Sequence, residues 1–186
     1  TTQARTAGRK VAEAVEAMLF LGGKTFGGMP IYGYLTHPDR NLDSFGTNGN
    51  WAAAAKTGAD CLEDVLSMKA ALEADRMYGP YHLYVPANSS SVLEEDFKTT
   101  GDKTVRQRLL EVDGLQGITV ADKLTNNNLV MVQMTADVVE MVEGEALQTI
   151  QWDIAGGMQV NFKAFCIQVP NIKSDAAGRC GVVHMS

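Results

Sequence analysis

The residues that usually mark a chemical role are scarce in this sequence. Cysteine occurs three times in 186 residues, as Cys61, Cys166 and Cys180. The set is odd and scattered, with no C-x-x-C spacing. That excludes a zinc knuckle or a dithiol redox pair and leaves reduced, small core residues. The histidines, His37, His82 and His184, stand apart at no metal-ligand spacing. Basic residues are outnumbered and the net charge is −6, which argues against broad nucleic-acid binding. No apolar run approaches the roughly 18 residues of a membrane helix. The first residues are polar and basic, so no secretory leader is expected.

What is present is ordinary for a globular protein, with 45% hydrophobic and 20% charged residues. A chain of this length buries about 70% of its unfolded surface and forms one domain or two small lobes. The chain is organised around its first segment, Ala4 to Leu21. Ala7, Val11, Val15 and Met18 recur at helical spacing, and Gly22-Gly23 is a helix stop. Arg9 and Glu13 are spaced for an exposed ion pair. Basic residues gather here as Arg5, Arg9, Lys10 and Lys24, and acidic ones at Glu63, Asp64, Glu94, Glu95, Asp96, Glu140, Glu143 and Glu145. Opposite-sign patches of this kind can dock copies of one chain.

From Thr25 to Asn50 glycine and proline punctuate a loop, with an extended piece expected over Ile31 to Leu35. Thr57 reads as an N-cap with Asp60 at the third position, opening a helix that ends near Asp75 or Arg76. Its expected stripe is Ala59, Leu62, Leu66, Lys69 and Leu72, joined by Val65 and Met68. Tyr81 to Val85 is a strand closed by Pro86. Asn88 to Ser91 caps a short helix over Val92 to Phe97, Thr99 to Lys103 is a polar loop, and Thr104 caps a second short helix over Val105 to Leu110. Strands follow at Ile118–Val120 and Leu129–Met134, separated by the Asn126-Asn127-Asn128 turn. The last third predicts strands at Val138–Val142, Leu147–Ile154, Val160–Val169 and Gly178–Met185, with a Gly156-Gly157 hairpin turn.

Several segments invite a chemical reading and lack its other parts. Gly23-Lys24-Thr25 looks like the end of a phosphate-binding loop, but Met18 stands where that pattern requires glycine, and the segment closes a helix instead of opening one. His82 lies within a strand as a partly buried, hydrogen-bonded residue. Ser89-Ser90-Ser91 lacks a nucleophile elbow. Glu94-Glu95-Asp96 reads as a solvated face. Trp51 and Trp152 read as core or interface anchors, core first. No catalytic, cofactor-binding or metal-binding residue is assigned.

The order of segments resembles the tailed-phage major capsid proteins of the Hong Kong 97 type and their cellular relatives, the encapsulins. The carriers are the first helix, Glu13 to Leu21, ending at Gly22-Gly23 before Gly27-Gly28. They continue with Asp60-Cys61-Leu62-Glu63-Asp64-Val65 to Leu72, then Gly79-Pro80-Tyr81-His82-Leu83-Tyr84-Val85-Pro86, and the returning strands Ile154 to Pro170. The resemblance spans residues 4–170 and rests on order and spacing.

The resemblance implies an α+β fold. A peripheral lobe, residues 1–50 and 137–186, would hold a long spine helix and antiparallel strands. An axial lobe, residues 51–136, would point at the five- and sixfold axes. The implied function is a shell subunit that self-assembles, without catalysis or cofactor, into an icosahedral phage head around double-stranded DNA. Its implied partners are further copies in pentamers and hexamers, with scaffold or portal proteins. No membrane and no sequence-specific nucleic-acid binding is implied. The location would be the virion, assembled in the host cytoplasm. The alternatives are an encapsulin-type nanocompartment shell and a small α/β ligand-binding protein or enzyme using His82 or Asp96. Family members carry an arm and an extended loop before the spine helix, so the resemblance implies a truncated or processed form. No crosslinking lysine is carried over.

Overall fold

The computed structural model describes residues 2–98, 101 and 103–186; part of the expected Thr99–Lys103 loop lies outside them. The first segment folds as expected into helix α1 (Thr2–Leu21), about 30 Å long. Gly22 and Gly23 leave it in left-handed backbone, φ 61° and 72°. Strands β1 (Lys24–Phe26) and β2 (Met29–Ile31) then form a hairpin around Gly27-Gly28. The extended piece expected over Ile31 to Leu35 therefore lies earlier in the chain. Tyr34 and Leu35 instead donate their N–H groups to Leu19 and Phe20 carbonyls, capping α1.

After strand β3 (Asn41–Asp43) comes helix α2 (Gly58–Ala74). Thr57 and Asp60 form the expected capping box, and Asp75 is the C-cap. The buried stripe is Cys61, Asp64, Val65, Met68 and Leu72, whereas Leu66 is exposed. The expected stripe is rotated because Asp64, a charged residue, takes an inward position. Strand β4 (Tyr81–Pro86) follows. The segment after it forms two 3-10 turns, 87–89 and 91–94, without serine side-chain caps. Ser90 Oγ donates backwards to the Ala87 carbonyl instead of capping forward. Helix α3 (Val105–Leu109) carries the expected Thr104 cap, boxed with Gln107.

Strands β5 (Leu115–Ala121), β6 (Leu129–Gln133) and β9 (Val182–Met185) join β3 and β4 in a five-stranded sheet of order β3-β9-β6-β4-β5. Its central strands are apolar on both faces, the pattern of a sheet covered on both sides. Leu129 and Met131 enter one core with Trp51, Val65, Met68 and Leu93; Val130 and Val132 enter the other with Phe20, Tyr34 and Cys180. The expected peripheral segments, 1–50 and 137–186, thus each send a strand, β3 and β9, into the sheet of the middle segment. Their pairing partners are β9 for β3 and β6 for β9.

Strands β7 (Val139–Ile154) and β8 (Gln159–Ile172) make a separate antiparallel ribbon. The two strands expected over residues 138–154 are one. Register shifts between Glu143 and Gln148 absorb the extra residues as bulges, so Gly144 bends the strand without ending it.

Candidate assembly surfaces

The second helix holds its loop by an internal ion pair. Lys56 Nζ lies 2.7 Å from Asp64 Oδ2 with both side chains fully buried. The same carboxylate accepts from Trp51 Nε1 at 2.8 Å and from Gly46 N at 3.0 Å, while Lys56 also donates to the Thr47 carbonyl. Trp51 is the expected core anchor. Its partner in that expectation, Trp152, lies on the ribbon and is exposed. A ribbon with one face uncovered does not bury an indole.

The polar residues singled out in the sequence take structural positions. His82 Nε2 is hydrogen-bonded to Thr119 Oγ1 at 2.8 Å, half-buried as expected, and burial lowers its pKa. His37 and His184, which stand far apart in sequence, meet around Arg40. Arg40 Nε donates to His184 Nδ1 at 3.3 Å and its Nη1 to the His37 carbonyl at 2.8 Å. His184 Nε2 faces Asn128 Oδ1 at 2.6 Å, so the ring is neutral with its proton on Nε2. Burial, then the Arg40 charge, holds its pKa below 6.5. Sequence spacing carries no signal of this cluster. Lys24 and Thr25 open strand β1 and do not form a phosphate loop. Glu94 pairs with Arg106 at 3.0 Å, and Arg106 also donates to the Ile118 carbonyl, blocking the open edge of β5. Among the described residues no group of three or more side chains is placed to hold a metal.

The uncovered surfaces are apolar. Helix α1 lies on β8 with only Phe20 fully buried; Val11 and Val15 face Cys166. Arg9 and Lys10 both pair with Glu13 on the same helix, at 3.5 and 2.8 Å, so much of the basic patch is neutralised internally. A Cβ added at Gly8 would lie 3.8 Å from Leu147 Cδ2. Beyond that point the ribbon outruns the helix: Leu147 to Ile154 rises about 23 Å, while the residues before Gly8 cover about 9 Å. There Ile150, Trp152, Ile154 and Val160 are all exposed, and Met158 at the tip is 92% exposed. A two-stranded ribbon is marginal on its own and calls for a covering surface. Phe26 and Met29, on the β1–β2 hairpin, are 81% and 72% exposed.

A family model described as "Family of unknown function (DUF6260)" matches residues 1–185. The chain belongs to this family. No curated protein matches it. Among solved structures, it is similar to the virus-like particle from Pyrococcus furiosus, with 18% identity and a TM-score of 0.72, covering 97% of this chain and 66% of that one. It is similar to the capsid of Myoviridae phage XM1, at 13% identity and a TM-score of 0.74, with coverage of 99% and 62%. It is also similar to the capsid of an empty GTA particle, at 15% identity and a TM-score of 0.63, with coverage of 98% and 64%. The chain spans just under two thirds of the length of these three proteins. The fold of this DUF6260 member is therefore the Hong Kong 97-type capsid fold, α+β, as the resemblance implied. No helix among the described residues is long and apolar enough to cross a membrane.

Proposed function

We propose that this chain is a structural shell subunit, a major capsid protein that self-assembles into an icosahedral phage head around double-stranded DNA. The observation that supports it best is the uncovered β7–β8 ribbon, with Trp152, Ile154, Met158 and Val160 in solvent on a fold shared with particle-forming proteins. Apolar surface of this extent marks a partner site. A closed shell requires each copy to bury several different patches against its neighbours. The role is structural and no catalysis is assigned to it. In this reading the five-stranded sheet with α2 and α3 is the axial lobe, redrawn to include β3 and β9, and α1 with the ribbon is the peripheral lobe. Scaffold and portal proteins would be the further partners, and assembly would take place in the host cytoplasm.

The test is molar mass by light scattering, with negative-stain images of the same sample. Rings or closed shells are the expected outcome. A full-length chain that stays a monomer at every concentration overturns the reading. The particle's contents separate the phage head, which holds DNA, from an encapsulin-type compartment, which holds protein.

A further inference from the structure

The β1–β2 hairpin is a finger whose strands, among the described residues, pair only with each other, and a Cβ added at either tip glycine, Gly27 or Gly28, would meet nothing within 4 Å. Lys24 and Phe26 alternate onto one side, and their cross-strand partners Ile31 and Met29 share it. One face of the finger is thus Phe26, Met29 and Ile31, with a single cation, Lys24, at its base. On the flank of α1 next to β7 runs an apolar groove lined by Val11, Val15, Leu19, Leu147 and Cys166, with one anion, Glu16. Among the described residues no ion pair includes Lys24 or Glu16.

We infer that the β1–β2 hairpin of one copy seats in the groove between α1 and β7 of a second copy, with Phe26 and Met29 on its apolar floor and Lys24 against Glu16. In its own chain Lys24 lies beside Ala14 and Met18, in a hollow that shares Val11, Val15 and Cys166 with the groove but does not include Glu16 or Leu19. Polarity and charge are complementary: an apolar face with one cation meets an apolar trough with one anion. The contact joins two different patches, so each copy gives a finger and receives one. Such a head-to-tail contact closes into a ring when the rotation permits. The inference rests on the self-assembling reading above and names the surfaces that one such contact would use.

The test uses the thiol already lining the groove. Phe26→Cys is oxidised mildly with copper phenanthroline and run on a non-reducing gel. The expected result is an intermolecular disulfide between the introduced thiol and Cys166, seen as dimers and a ladder and located by peptide mass; adding Cys166→Ser removes it. Met29→Cys, also exposed, serves as a second probe should Phe26→Cys fold poorly. Lys24→Glu raises the concentration for half-assembly by about threefold, and Lys24→Glu with Glu16→Lys restores it. Particles without the crosslink, or a disulfide formed only within one chain, overturn this contact and leave the shell reading standing. A full-length chain that stays a monomer without the crosslink overturns both.

Discussion

Gly22 and Gly33 meet backbone to backbone at the end of α1. A Cβ on Gly33 would lie 2.6 Å from the Gly22 nitrogen and 2.7 Å from the Leu19 carbonyl oxygen. This approach lets Tyr34 and Leu35 donate to the Leu19 and Phe20 carbonyls, both at 2.9 Å. It also sets Phe20 against Tyr34 and Tyr84, with ring centroids 5.7 and 5.2 Å away. The joint between the helix and the five-stranded sheet is made there. Gly33→Ala is expected to cost about 2–3 kcal/mol, because rigid backbone cannot yield to the added methyl. Gly28→Ala, where φ is +80° and the space is open, should cost about 1 kcal/mol from backbone conformation alone. Urea midpoints of the two variants check the difference.

The buried pair Lys56–Asp64 makes a second prediction. Asp64→Ala leaves a buried ammonium and the Trp51 indole N–H without their acceptor, at a cost of about 3–5 kcal/mol. Lys56→Met leaves the carboxylate without its countercharge and should cost a similar amount. Replacing both, Lys56→Met with Asp64→Leu, should cost less than the sum, since neither charge is then stranded. Thermal melts of the three variants test this, and simple additivity would remove the pair from its central role.

Acid should loosen the sheet end where His184 lies. His184 is held below 6.5 by burial and Arg40, and burial also lowers His37 and His82. A histidine with a depressed folded pKa binds fewer protons folded than unfolded. Stability is then fully present above pH 6.5 and is lost as pH falls through that value toward the lower folded pKa. His184→Gln keeps an acceptor for Arg40 and a donor for Asn128 without titrating. Its urea midpoint should fall less than the wild type's between pH 7 and pH 5. An unchanged slope would assign the effect to His37 or His82.

Much of this architecture is legible in local chemistry, and the remainder depends on partners far along the chain. Thr57 with Asp60, and Thr104, announce two helix starts because a cap is a contact between near neighbours. Tyr81 to Pro86 announces a strand through its branched and aromatic residues. The placement of β9 beside β6 and β3 is not local. Val182 to Met185 reads as a strand, but only the two cores that receive its alternate side chains show that it is central. The rotation of the α2 stripe depends on Asp64 finding Lys56 and Trp51, which spacing does not reveal. The assembly surfaces are the least legible, since an exposed Phe26 or Trp152 has the same sequence signature as a core one. Only the folded chain separates them, and the fold match itself is carried by the order of segments.

The three cysteines give a direct reading of which faces are open. Cys61 lies on the buried face of α2 and Cys180 just before β9, both fully buried, and burial pushes their thiols up to about 12 and about 11. Reaction requires a thiolate that reagent can reach, so both should be inert in the folded chain at pH 8. Cys166 is half-buried and lines the groove beside α1. Ellman's reagent should therefore find one thiol per folded monomer and all three after denaturation. Cys166→Ser should leave none in the folded state. In assembled particles the Cys166 reaction should slow, because a seated hairpin covers it, while its rate in dissociated chains stays unchanged. A Cys166 that reacts equally fast in particles and in monomers would show the groove to be open in the shell.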